Sequence, residues 1–245
     1  MRVASGPLLA SEVDVCFVTV KNTQLRDALR RVPANVLGGA LVVPFLNGID
    51  HVDYLRTMYP GPSVAPATMR VATVRVEPGV IRQTSPFAAV EIAAVEANRD
   101  RVVRVAAALE SVGFDIRVRE DEAAMLWDKL SFLAPLALLT THERANAGVI
   151  RTRRREDALA VISEVVAVAA ADGAAIDPQV VLDRLDAVPA TMESSMQHDQ
   201  DAGRRLELDA IGGALTRRAT LAGLEIPVTA RLVAELRARR VGEAG

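Results

Sequence analysis

VDVCFVTVKNTQ (residues 13–24) and VVPFLNGID (residues 42–50) decide how this chain folds. In the first stretch, Asp14 to Lys21 is an almost unbroken apolar run of strand length, the pattern of a parallel strand buried on both faces. A helix-like segment from Thr23 to about Arg31 follows. The second apolar run, Gly39 to Leu46, then ends in Asn47-Gly48. Strand, crossover and strand predict an open α/β sheet.

Working outward, Asp50 to Met58 reads as a short helix. Val64 to Val76, the turn Glu77-Pro78-Gly79 and Val80 to Thr84 read as a β-hairpin. Phe87 to Val95 is a further strand, Asp100 to Val112 a helix ended by Gly113, and Phe114 to Val118 a last short strand. From Glu120 onward no strand pattern recurs. Helices are expected over Asp121–Thr140, Glu156–Ala171, Asp177–Ala187, Leu206–Ala222 and Thr229–Arg240. The fold class is therefore α/β plus all-α, with a boundary near Arg119: residues 1–119 form the sheet domain and 120–245 the helical one. No Gly-x-Gly-x-x-Gly follows a strand anywhere in the sequence. The first domain is accordingly expected to be a partial dinucleotide-binding (Rossmann-type) sheet that lacks its first strands. Such a sheet would leave the Val13–Val20 strand as an open edge, prone to self-association.

Composition narrows the function. Half of the 245 residues are apolar and only 3% are aromatic, so the core is aliphatic and favours helices. A net charge of −2 offers no electrostatic ground for nucleic acid or an anionic membrane as partner. No uncharged apolar run approaches 18 residues, and a cytoplasmic location is expected. The single cysteine, Cys16, lies within an apolar strand and reads as a small core hydrophobe. Arg151-Thr152-Arg153-Arg154-Arg155, followed by Glu156 and Asp157, reads as a solvated helix start.

Candidate chemistry lies where strands end, because open α/β sheets place ligands at the carboxyl ends of their strands. Lys21 ends the first strand and Asn47 follows the second. Each also has an ordinary reading, a solvated lysine and a turn dipeptide. Lys129 stands in Leu126-Trp127-Asp128-Lys129-Leu130, the one lysine of the second half of the sequence. Arginine keeps its proton near neutral pH, whereas a desolvated lysine can give its proton up, so Lys129 is a candidate general acid. A snorkelling lysine or a pair with Asp128 is the other reading. In Ser194-Ser195-Met196-Gln197-His198-Asp199 and Arg204-Arg205-Leu206-Glu207-Leu208-Asp209, the hydroxyls read as a helix cap and the acids as the start of the next helix. Glu207 shares an apolar stripe with Ile211 and Leu215, so it faces inward and needs a partner such as Lys129. Asp209 faces out.

Taken together, VDVCFVTVKNTQ, VVPFLNGID, LWDKL, SSMQHDQDAGRRLELD and GLEIPVTARL resemble the ketopantoate reductase (2-dehydropantoate 2-reductase) family, in its order and across nearly the whole chain. The resemblance implies an N-terminal Rossmann domain, a C-terminal helical domain, and hydride transfer from NADPH to the ketone of a 2-oxo acid. It implies Lys129 as general acid and Glu207 as the acid that binds the substrate hydroxyl and orients the lysine. Asn47 would lie near nicotinamide and substrate, Ser195 would hold the substrate carboxylate, and Lys21 would lie near the cofactor. No metal is implied, and a homodimer is left open as the one protein partner. The family's Gly-rich loop and the residues that choose between NADPH and NADH have no counterpart in the sequence. Where members often carry Asn one and two helical turns after the lysine, this chain has Leu133 and Ala137, and Gly212 replaces a further Asn. These departures point to a less polar 2-oxo acid. A non-catalytic remnant serving as a dimerising or ligand-binding module, and a related reductase with another 2-oxo or imine substrate, are the competing readings.

Overall fold

The computed structural model describes residues 5–242, with side chains through Arg239. It divides into two compact units. The first comprises the chain up to Leu46 and His51–Met125; the second comprises Asn47–Asp50 and everything from Leu126 onward. The division between the two falls at Met125/Leu126. The tetrapeptide Asn47–Asp50 clusters with the helices although its neighbours on both sides belong to the sheet.

In the first unit, β1 (Val15–Val18) is followed by the short helices α1 (Leu25–Leu29) and α2 (Ala34–Leu37) and by β2 (Leu41–Pro44). β1 and β2 pair in parallel, with Val15 opposite Leu41 and Val18 opposite Pro44. β2 is buried throughout, as its continuous apolar run requires. α3 (Asp50–Met58) leads to β3 (Ala67–Arg70), the pair β4 (Thr73–Glu77) and β5 (Val80–Gln83), β6 (Ala89–Ala93), α4 (Arg99–Glu110) and β7 (Asp115–Arg119). β3 is antiparallel to β6, and β6 is parallel to β7. A bridge between Val42 and Val64 links β2 to the segment that leads into β3. One face of this sheet packs Val18, Val42 and Leu46 against Leu25, Leu29 and Leu55. The other packs Leu41, Val43, Val90 and Ile92 against Val102 and Val105 of α4.

The strand expected over Val64–Val76 is two strands. The two-residue turn Pro78-Gly79, with Gly79 at φ +85°, closes a hairpin that reaches back only to the Thr73–Gln83 pair. A register shift between Arg75 and Glu77 bends it. The preceding segment breaks away at Val71-Ala72, and β3 finds its partner in β6 instead.

Glu91 on β6 is buried, its side chain 7% exposed, and it accepts from Arg70 and Arg119, each at 2.6 Å. Burial alone would raise its pKa, but the two guanidiniums outweigh burial and lower it below the ordinary 4.5. A depressed folded-state pKa stabilises the fold above the unfolded value and is lost as pH falls through the folded one. Glu91→Gln is therefore expected to cost about 1–3 kcal/mol at neutral pH. It should also flatten the loss of stability below pH 4.5, as denaturant melts across an acid series would read out. Equal slopes in both proteins would refute this.

Among the described residues, β1 has a strand partner on one side only. Phe17 on that edge strand is 44% exposed and stacks on Phe45 with centroids 5.8 Å apart. Phe17→Lys is expected to reduce concentration-dependent association in sedimentation velocity. A wild-type sample that is monodisperse and melts cooperatively would count against it. Cys16 in the same strand is a free, half-buried thiol whose pKa is raised by burial, as suits an inert packing residue.

The second unit is helical: α5 (Glu122–Glu143, entering from the first unit), α6 (Ala147–Arg153), α7 (Arg155–Ala171), α8 (Pro178–Ala187), α9 (Ser195–Asp201), α10 (Ala214–Ala222) and α11 (Pro227–Gly242). α5 is long and apolar enough to cross a membrane by length and composition, and 61% of its apolar window is buried in the protein. Leu130, Ala134, Leu138 and Leu139 are among its core residues. The arginine run is not one helix start. Arg151 and Arg153 close α6 and Arg155 opens α7, with Arg155 paired to Asp186 and Arg154 to Asp157 at 2.7 Å. The helix expected over Leu206–Ala222 begins instead with a π-turn at Asp209–Gly213, and α10 follows it. α9, whose N-cap is Ser194, has only seven residues, too few for periodicity to mark its extent.

Candidate active site

Glu207 is 5% exposed, and Ile211 and Leu215 on its stripe are 1% and 0% exposed. Glu207 stands just ahead of the π-turn, where its carbonyl accepts from Ile211 N at 3.1 Å. Asp209 is turned to solvent, its side chain 73% exposed. A buried carboxylate needs a donor. The donor for Glu207 comes from the loop after β2: Asn47 Nδ2 donates to Glu207 Oε2 at 3.0 Å. This donor is an amide 160 residues away in sequence.

The loop that carries Asn47 is packed tightly. Gly48 has φ +83°, and a Cβ there would stand 2.2 Å from the Ala210 carbonyl oxygen of the π-turn. Only glycine allows both that backbone conformation and that approach. The loop is also held by charge. Arg217 binds Asp50 (Nε to Oδ2, 2.9 Å) and Asp209 (Nη1 to Oδ1, 2.9 Å). Arg218 bridges Asp50 at 3.3 Å and Asp172 at 2.7 Å. The second oxygen of Asp172 accepts from Trp127 Nε1 at 2.7 Å, two residues ahead of Lys129. Burial would depress the Arg217 pKa, but its two carboxylate partners more than offset this and keep it raised. Arg217, Arg218, Asp50 and Asp172 escaped the sequence reading. Their separation of up to 168 residues, between Asp50 and Arg218, leaves no periodic signal, and the one local hint is an acid three residues after Asn47.

Lys129 lies half-buried on α5 beside Asp128, which pairs with Arg184 at 2.7 Å. Leu133, one turn on, is half-buried and Ala137 is buried. At the double serine the two hydroxyls divide. Ser194 is buried and caps α9, accepting from Gln197 N at 3.1 Å and from Thr140 Oγ1 at 2.8 Å. Ser195, the first residue of the helix, is exposed. Asn47, Lys129, Ser195 and Glu207 all belong to the helical unit. Lys21 belongs to the sheet unit, half-buried at the carboxyl end of β1, where its carbonyl accepts from Gln24 N at 2.8 Å. No group of three or more potential metal ligands occurs among the described residues.

The chain is similar to known proteins along most of its length. Residues 4–97 match the family described as ketopantoate reductase PanE/ApbA, and residues 121–240 match its C-terminal part. A 2-dehydropantoate 2-reductase from Mycobacterium tuberculosis is 30% identical over 242 residues, which cover 96% of this chain and 79% of that protein. Among solved structures, a D-mandelate dehydrogenase with NADH and anilino(oxo)acetate is similar with a TM-score of 0.89 at 19% identity, covering 96% of this chain and 79% of that one. A dimeric ketopantoate reductase from Staphylococcus aureus is similar with a TM-score of 0.81 at 20% identity, covering 95% and 79%. At such identities the solved structures speak to the fold, an N-terminal Rossmann-type domain with a C-terminal helical domain. With both segments matched in order and a relative at 30% identity along most of its length, the chain belongs to the ketopantoate reductase family of oxidoreductases.

Proposed function

We propose that this protein reduces the ketone of a 2-oxo acid of the 2-dehydropantoate type to the 2-hydroxy acid, with NADPH as reductant. The observation that carries the reading is the part-buried Asn47–Glu207 hydrogen bond, made within the unit that also holds Lys129. The family's named relatives support the reaction class, and the NADH-bound D-mandelate dehydrogenase supports a nicotinamide.

The described residues fit such a cofactor in part. The carboxyl end of β1 offers Lys21, but no glycine-rich turn between strand and helix is present to receive a pyrophosphate. The bound cofactor would supply the hydride. The protein's own residues do the rest. As negative charge grows on the carbonyl oxygen, the ammonium of Lys129 stabilises it and delivers a proton. Glu207, fixed by Asn47, accepts from the substrate hydroxyl and orients Lys129. Ser195 donates to the substrate carboxylate. Leu133 and Ala137, one and two turns past Lys129, favour a substrate less polar than 2-dehydropantoate itself. The proposal extends to a cytoplasmic homodimer, its dimeric part supported by the dimeric S. aureus neighbour.

Titration of NADPH into the full chain, followed by cofactor fluorescence, tests the reading. Saturable binding, then oxidation of NADPH by one member of a 2-oxo acid panel, is expected. A folded sample that binds neither NADPH nor NADH would overturn the reductase reading in favour of a ligand-binding remnant.

A further inference from the structure

Arg217 touches neither member of the Asn47–Glu207 pair, yet it holds both segments that carry them. Asp50 lies three residues after Asn47, and Asp209 lies two after Glu207. The guanidinium binds Asp50 Oδ2 through Nε and Nη2 at 2.9 and 2.8 Å. Nη1 reaches Asp209 Oδ1 at 2.9 Å, and Nη2 reaches the Asp209 carbonyl oxygen at 3.0 Å. A planar fork with four contacts fixes distance and direction together, which a point charge does not. Gly213 makes the room: a Cβ there would stand 2.5 Å from Asp209 Oδ1 and 3.1 Å from Arg217 Nη1. The carboxylate held in this way begins the π-turn, a helix irregularity frequent at functional sites.

We propose that Arg217 is a positioning residue, which through Asp50 and Asp209 sets the Asn47 amide against the Glu207 carboxylate. As a surface ion pair at 47% side-chain exposure it would contribute little to stability; its effect is on geometry. The proposal rests on the reductase reading for what the pair does, and on the geometry above for how the pair is held.

The test uses the full chain, labelled with ¹⁵N at asparagine. The chain has five asparagines, so the Asn47 side-chain amide is assigned by its loss in Asn47→Ala. Arg217→Ala is expected to move that amide toward its position in Glu207→Ala and to leave Asn22, Asn35, Asn98 and Asn146 in place. Arg217→Lys should move it part of the way. Gly213→Ala, whose backbone is ordinary helix at φ −64°, should move it too by displacing Asp209 while Arg217 remains. An Asn47 amide unmoved in Arg217→Ala and Gly213→Ala would overturn the proposal. In turnover, Arg217→Ala should lower kcat about tenfold, a change of about 1.4 kcal/mol. That loss should vanish in an Asn47→Ala background, whereas additive losses would overturn the proposal. A shifted amide in a protein with no turnover on any 2-oxo acid supports the positioning and refutes the reductase reading, so the two failures separate.

Discussion

Replacing Lys129 by Ala is expected to lower kcat for 2-oxo acid reduction by about 10²–10⁴-fold, the usual contribution of a positioned proton donor. This corresponds to about 3–5 kcal/mol of transition-state stabilisation. The residue is half-buried on the outside of a helix whose core contacts are Leu130, Ala134 and Leu138, so the variant should fold and bind cofactor as before. Lys129→Arg sharpens the result. Arginine keeps a positive charge but holds its proton near neutral pH, so it should retain ground-state binding of the carboxylate substrate and fail in turnover. Steady-state kinetics of both variants, with far-UV circular dichroism as the check on folding, read this out. Turnover within threefold of wild type in Lys129→Ala would remove the lysine from the mechanism and leave the snorkelling reading.

The second large effect is expected at Gly48. Gly48→Ala must hold a left-handed backbone at φ +83°, which costs a side chain-bearing residue roughly 1–2 kcal/mol. Its new Cβ would also stand 2.2 Å from the Ala210 carbonyl oxygen, an overlap with backbone that no rotamer relieves. The loop must back away from the π-turn, and Asn47, its neighbour in the chain, must leave Glu207. The melting temperature should therefore fall, and turnover should fall about 10²-fold in the folded fraction, consistent with misplaced catalytic groups. Gly61→Ala is the control, since nothing stands within 4 Å of a Cβ there, and it should be neutral in both measurements. Wild-type behaviour of Gly48→Ala would mean that the loop and the π-turn are free to part.

Both effects depend on residues that lie far apart in sequence, which separates what could be read early from what could not. Strands β1 and β2, helix α4 and the helical second half were legible because hydrophobic periodicity is a local property, set by 2.0 or 3.6 residues per repeat. The inward direction of Glu207 and the outward one of Asp209 were legible from the apolar stripe with Ile211 and Leu215, although the backbone there is a π-turn and not the α-helix that the spacing assumes. The family was legible because its motifs are short and ordered. Strand pairing was not: Val64–Val76 has strand composition throughout, but which half joins β6 and which folds into a hairpin depends on partners elsewhere. The pairing of Arg155 in the arginine run with Asp186, 31 residues on, likewise has no local signal. The sequence by itself thus determined the two-part architecture, the residue types that carry the chemistry, and the face each presents. Tertiary structure alone decided that Asn47 donates to the buried Glu207, and that Arg217 spans 167 residues to hold the loop in place. The physical reason is that burial and periodicity act along a few turns of chain. A hydrogen bond between distant segments exists only once packing has brought them within 3 Å.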